Sequence, residues 1–225
     1  MRVASVVAAV AVGCATALGY GGFGVTALFA DVSGLNERLT ELNTRPDSLG
    51  GWGGTDTFRV RSPLWWVGGH GGGQIGNVTV GGGGAVMLCN VKADSLGVEL
   101  FGALPSFELG YVLEPIEYMW IRPCLGLGGG AWASYVHSHE SFSQPNFGRW
   151  FYGWSAGLQP ALEVMGRLPY RKENFIGLYV KAGYDLALAS GLLGDEEPPD
   201  FRLGGFRLEL GLRFDRRTQE GSFRM

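Results

Sequence analysis

The stretch Phe201-Arg202-Leu203-Gly204-Gly205-Phe206-Arg207-Leu208-Glu209-Leu210-Gly211-Leu212-Arg213-Phe214 decides the fold class. Its even positions from Phe206 onward are Phe206, Leu208, Leu210, Leu212 and Phe214, all apolar. Its odd positions are Gly205, Arg207, Glu209, Gly211 and Arg213, all glycine or charged. Side chains on a strand alternate between faces, so this is a strand with one apolar and one polar face. A helix would mix the two classes on every side.

The same period recurs upstream. In about Asn174–Ser190, Ile176, Leu178, Val180, Ala182, Tyr184, Leu186 and Leu188 oppose Gly177, Tyr179, Lys181, Gly183 and Asp185. Trp150–Met165 sets Trp150, Tyr152, Trp154, Leu162 and Val164 against Gly153, Ser155, Gln159 and Glu163. Met119–Val136 sets Ile121, Leu125, Leu127 and Tyr135 against Arg122, Cys124 and glycines. Leu96–Leu113 carries Phe107, Leu109, Tyr111 and Leu113 opposite Glu108 and Gly110. Glycine blurs the pattern in Leu64–Ile75 and Val78–Val91, and Gly19–Ala30 completes a set of eight. Connections at Gly76-Asn77, Glu114–Glu117 and Pro169–Glu173 are short, whereas Ala30–Pro63, His137–Gly148 and Leu192–Pro199 are long. Only Lys92–Ser95 breaks this alternation. Long loops at one end and tight turns at the other suit an up-and-down barrel that crosses a bilayer. The strands, at 11 to 18 residues, exceed the 5–6 usual in soluble sheets.

Composition agrees. Glycine supplies 39 of 225 residues, against a typical ~7%, without a Gly-X-Y period, so the chain is not collagenous. Apolar residues make up 46% and charged residues 17%, which excludes a disordered linker. Eighteen basic residues against 21 acidic ones give a net charge of −3 and no electrostatic basis for binding nucleic acid. Residues 1–17 combine Arg2, an apolar run from Val3 to Gly13 and Ala15-Thr16-Ala17, the three parts of a secretory signal peptide. Cleavage after Ala17 is expected; a retained anchor and lipidation at Cys14 are the alternatives. Residues 18–215 then form the barrel and residues 216–225 a polar tail. Leu35, Leu39 and Leu42, following Asp31 and Ser33, predict a short amphipathic helix in the first long connection, packed on the barrel rim.

Period alone does not say which face points outward. Export, loop alternation and aromatics near strand ends favour the inverted, membrane arrangement. The residues expected to face lipid are Ile176, Leu178, Val180, Leu186, Leu188, Phe206, Leu208, Leu210, Leu212 and Phe214. Those expected at the bilayer interfaces are Tyr111, Trp120, Tyr135, Trp150, Tyr152 and Trp154. Glu108, Glu163, Asp185 and Glu209 then share a lumen with Arg122, Lys181, Arg207 and Arg213, and an eight-stranded lumen is one that side chains fill. A plugged core of ion pairs is the expectation. Cys89 and Cys124 share the polar face on strands that are not neighbours; free thiols are favoured over a bond across the lumen.

On these residues the chain resembles the small eight-stranded outer-membrane barrels, of the outer membrane protein A and X kind. Phe107-Glu108-Leu109-Gly110-Tyr111 and Arg122-Pro123-Cys124-Leu125-Gly126-Leu127-Gly128-Gly129-Gly130 look like strands of glycine-rich members. The resemblance covers about Gly19–Phe214. It implies the outer membrane of a diderm bacterium, lipids as neighbours, a monomer, and insertion by the outer-membrane assembly machinery. Such barrels usually end on an aromatic residue; here Phe214 is followed by Asp215–Met225, with Phe223 near the end.

Other chemistry is weakly represented. Two G-x-G-x-x-G matches, at Gly71–Gly76 and Gly19–Gly24, do not open helices as a dinucleotide site requires. His139, Glu140 and Ser141 have the residue types of an acyl hydrolase but are neighbours in a loop rather than an oriented triad. No metal or cofactor is expected. The reading is a non-enzymatic barrel with a structural or surface-exposed role. The alternatives are an exported soluble barrel holding an apolar ligand and a membrane-embedded acyl hydrolase.

Overall fold

The computed structural model describes residues 19–44, 59–92, 96–138, 148–171, 174–193 and 203–216. The strands are β1 (Tyr20–Ala30), β2 (Leu64–Ile75), β3 (Val78–Lys92), β4 (Leu96–Tyr111), β5 (Leu113–Ile116), β6 (Met119–Ser138), β7 (Gly148–Arg171), β8 (Asn174–Leu193) and β9 (Gly205–Arg216). One helix, α1 (Ser33–Thr44), follows β1. Each strand pairs antiparallel with the next except β4 with β5, β1 also pairs with β9, and β4 pairs with β6. The sheet therefore closes on itself. Because β5 continues β4 past Val112, the wall has eight strands. Among the described residues no helix is long and apolar enough to cross a membrane.

Several boundaries differ from the sequence reading. Glu114–Ile116, expected in a turn, is strand, because β5 continues along β6 after pairing with β3 has ended at Val78↔Tyr111. The strands β6, β7 and β8 reach 20 to 24 residues, since their ladder runs into segments whose polar residues look like loop. The last strand starts at Gly205 rather than Phe201 and runs to Arg216. Gly205 sits at φ +140°, with Phe29 backbone too close to admit a Cβ, so the chain bends there. Leu203, read as strand, is instead a buried side chain just outside it. The β2–β3 turn is Gly76-Asn77 with Gly76 at φ +58°, which suits a two-residue hairpin loop.

The interior has three layers. At the long-loop end Leu28, Leu64, Trp66, Met87, Val98, Leu100, Leu104, Trp132 and Phe151 point inward and pack with Leu35 and Leu39 of α1 and with Leu203. The helix is thus a cork set into the mouth. Asp31 Oδ1 accepts from the Ser33 N–H at 2.9 Å and the Ser33 hydroxyl at 2.6 Å, which starts the helix and holds the Asp31 carboxyl below its usual range. Asn36 fixes the returning chain: its Nδ2 donates to the Val60 carbonyl at 3.0 Å and its Oδ1 accepts from the Val60 N–H at 2.7 Å. Charged groups fill the middle. At the turn end Val112, Trp120, Met165 and Tyr179 form a second apolar cluster.

Glycine makes these layers possible. A Cβ at Gly153 would lie 2.4 Å from Trp132 Nε1, and one at Gly102 2.4 Å from the Trp66 ring. Large interior side chains lie flat against bare backbone.

Leu39→Ala removes a buried side chain from the cork and should cost about 2–5 kcal/mol. Glu37→Ala, on the exposed face of α1, should change stability by less than about 0.5 kcal/mol. Equilibrium urea unfolding of the refolded protein measures both.

Candidate functional site

The charged middle layer is the chemically distinctive part of the molecule. Arg122 on β6 is opposite Glu163 on β7 in register, and Glu163 is opposite Lys181 on β8, itself opposite Glu209 on β9. All four face inward because they share one parity of an unbroken ladder. Arg122 Nη2 donates to Glu163 Oε2 at 2.6 Å and to Glu108 Oε2 at 3.3 Å, and Nη1 reaches Thr79 Oγ1 at 3.3 Å. Arg213 Nη1 donates to the other oxygen of Glu163 at 2.7 Å. Lys181 Nζ donates to Glu108 Oε1. Two carboxylates and three cations therefore form one connected cluster.

Two further groups flank it. Tyr179 OH donates to Glu209 Oε1 at 2.5 Å, with His70 Nδ1 3.8 Å from the same oxygen. Arg207 Nη1 lies 3.6 Å from Asp185 Oδ1, an ion contact without a hydrogen bond. Four acids (Glu108, Glu163, Asp185, Glu209) share the layer with four bases (Arg122, Lys181, Arg207, Arg213), so the formal charges of these eight sum to zero with His70 neutral. Glu209 is met by Tyr179 and His70 rather than by one of the four bases. Arg213 also lies over the Tyr20 ring, 3.9 Å from its centroid, where the π face takes a guanidinium surface that no acceptor meets.

The opposite wall surface is apolar. Leu178, Val180, Leu186, Leu188, Phe206, Leu208, Leu210, Leu212 and Phe214 are exposed on the outside of the barrel, and Ile176 is half-buried there. Tyr111, Trp150, Tyr152 and Trp154 are also exposed outward. Tyr135 is half-buried in a stack, its ring 4.6 Å from Trp150, which in turn stacks on Tyr152 and Phe101.

Trp120 corrects the interfacial assignment: it is 3% exposed. It shares parity with Arg122 and so points inward. Its Nε1 donates to Glu114 Oε1 at 2.6 Å, and Arg167 stacks 4.2 Å over its ring while donating to the same carboxylate at 3.2 Å. The interior is likewise not a core of ion pairs alone, because apolar clusters close both ends. His139, Glu140 and Ser141, the signal segment 1–17 and residues 217–225 lie outside the described residues. Cys89 and Cys124 are free thiols. Among the described residues no group of three or more His, Cys, Asp or Glu is placed to hold a metal.

Sequence reasoning missed Tyr20, His70 and Thr79 as interior groups. For Tyr20 and His70 the available signal was the glycine around them: a Cβ at Gly72 or Gly81 would lie 2.5 or 2.4 Å from Tyr20 OH, and one at Gly22 about 3.0 Å from the His70 ring.

Glu163→Gln should destabilise the fold by about 3–5 kcal/mol, because it leaves buried Arg213 with a neutral partner and Arg122 with only the longer contact to Glu108. Glu114→Gln, at a half-exposed carboxylate, should cost about 1 kcal/mol or less. Urea midpoints in the same detergent decide between them.

No protein-family model matches the chain, and no match is found among curated proteins. Among solved structures the chain is similar to the crystal structure of Ail, the attachment invasion locus protein of Yersinia pestis. The TM-score is 0.41 and the identity 12%, over 87% of this chain and 99% of that one.

Proposed function

We propose that the protein is an integral outer-membrane β-barrel, monomeric and non-enzymatic, with a closed lumen and a structural or surface-exposed role. The observation that carries this is the sidedness of the wall: aliphatic and aromatic residues outside, eight charges of balanced sign inside. Lipid is the solvent that accepts such an outside. A closed barrel leaves no wall backbone group unsatisfied within it. On β9 the outward residues run from Phe206 through Leu208, Leu210 and Leu212 to Phe214. At ~3.4 Å per residue that is about 27 Å along the strand, or about 21 Å of bilayer depth at a ~40° tilt, near the ~25 Å band of such barrels.

The remaining features follow from that placement. Residues 1–17 serve as the export signal, 18–215 as the barrel and 216–225 as a polar tail. Outer-membrane lipids are its neighbours, and the assembly machinery inserts it. It takes no cofactor and no nucleic acid. An exported soluble barrel would have its two faces exchanged, with Leu208, Leu210 and Leu212 lining a cavity. The large side chains that fill the lumen among the described residues support a plugged interior rather than an open pore.

Charge scanning tests the reading. Leu210→Arg, at mid-height, should cost about 2–4 kcal/mol in a bilayer, whereas Leu188→Arg near the loop end should cost about 0–1 kcal/mol. A water-soluble barrel would show less than about 0.5 kcal/mol for both. Fractionation with the outer membrane and a heat-dependent shift in gel migration should accompany this depth dependence; recovery as a soluble periplasmic protein would end the proposal.

A further inference from the structure

Several buried polar atoms of the lumen lack a protein partner, Trp66 Nε1, His70 Nε2 and Ser134 Oγ among them, and such atoms are densest around Asp185. Both carboxylate oxygens of Asp185 and the Oε1 of Gln159 meet no protein donor, and Nε and Nη2 of Arg207 meet no acceptor. Each of these three residues is more than nine-tenths buried. Gln159 and Asp185 line a single cavity between β6, β7 and β8, together with Ser155, Gly128, Gly157 and Leu203. Its other lining is apolar side chain and backbone. The Ser155 hydroxyl is engaged, donating to the Leu203 carbonyl at 3.4 Å.

Several features of the wall create this space. The β7–β8 register shifts between Ala156 and Gly157, which opens the ladder beside Asp185. Gly126 and Gly128 face Gln159: a Cβ on either would lie 3.1 or 2.8 Å from Oε1. Leu203, folded in from outside the last strand, closes the top. The space free of protein atoms is about 170 Å³ with its open mouth included, and the part open to the centre of a water molecule is about 10 Å³. That is about what one water molecule needs.

We infer that this cavity is a binding site for one ordered water molecule, donating to Asp185 and to Gln159 Oε1. A water has two hydrogens to give, which matches a cavity lined by orphaned acceptors on two residues. The Asp185 charge is already opposed by Arg207 at 3.6 Å, so a bound ion of either sign would bring an unmatched charge into the lumen. An apolar molecule would leave the orphaned atoms as they are. The water joins Gln159, through Asp185, to the ion-paired layer.

A crystal structure of the refolded protein at better than about 1.8 Å, with matched rubidium and bromide soaks, tests the site. The expected result is a single density peak within 2.6–3.2 Å of both Asp185 and Gln159 Oε1, with no anomalous signal from either soak. In Gln159→Leu the peak should be lost while Arg122, Glu108 and Glu163 keep their contacts. A wild-type structure with Arg207 bonded directly to both Asp185 oxygens and nothing between Asp185 and Gln159 would overturn the inference. So would an anomalous peak in the cavity. The wild-type density stands even where the variant does not fold, and it is independent of the membrane reading, since the lumen is enclosed either way.

Discussion

A lumen enclosed by eight strands is just wide enough for side chains to fill it, so a charge placed there has no bulk water to fall back on. Everything in the middle layer depends on that. Glu163 is the joint: one oxygen holds Arg122 and the other holds Arg213, strands that lie on different sides of the ring. Arg122 extends the chain to Glu108, and Glu108 to Lys181. Pairing across the interior ties wall strands that share no ladder. Burial of such groups is costly unless each is matched, and the balance of four acids with four bases is what that cost demands.

The apolar layers at the two ends set the environment for these pairs. Trp66, Trp132 and the α1 leucines close the long-loop mouth, and Trp120, Met165, Tyr179 and Val112 close the turn end. Excluding solvent from both ends strengthens each ion pair between them, while raising the penalty for any group left unmatched. The same closure explains why Arg167 is held so firmly at the turn end, between the Trp120 and Phe175 rings at 4.2 Å each and bonded to Glu114. Its charge sits where the sealed interior meets the outside.

Strand number, order and sidedness are legible in the sequence because one rule, alternation, governs Phe206–Phe214 and Ile176–Leu188 alike. The eight charges that meet inside are legible for the same reason: parity places them before any partner is known. Who pairs with whom is not, since the partners of Glu163 come from β6 and β9, and no local pattern encodes that distance. The helix of the cork is legible in the spacing of Leu35 and Leu39, but the apolar wall layer it packs on is not, for a different reason. At Leu64, Trp66, Met87, Leu100 and Trp132 the inward face is apolar too, so alternation of polarity vanishes although alternation of direction persists. Trp120 was misplaced by treating ring type as a position signal; its parity with Arg122 already pointed inward.

Glycine is where composition and architecture meet. An outward-facing membrane wall has no need of small residues, whereas a lumen filled with Trp, Arg and Tyr has nowhere else to find volume. Tyr179 shows how specific the matching is. A Cβ at Gly24 or Gly211 would come within 2.6 Å of its hydroxyl, the same hydroxyl that bonds Glu209 at 2.5 Å. An alanine at either position would therefore displace the ring that shields the Glu209 carboxylate, and the error would pass to a buried charge. The glycine content is thus a condition for the ion-paired layer itself, because only bare backbone lets large polar side chains reach one another across so narrow a space.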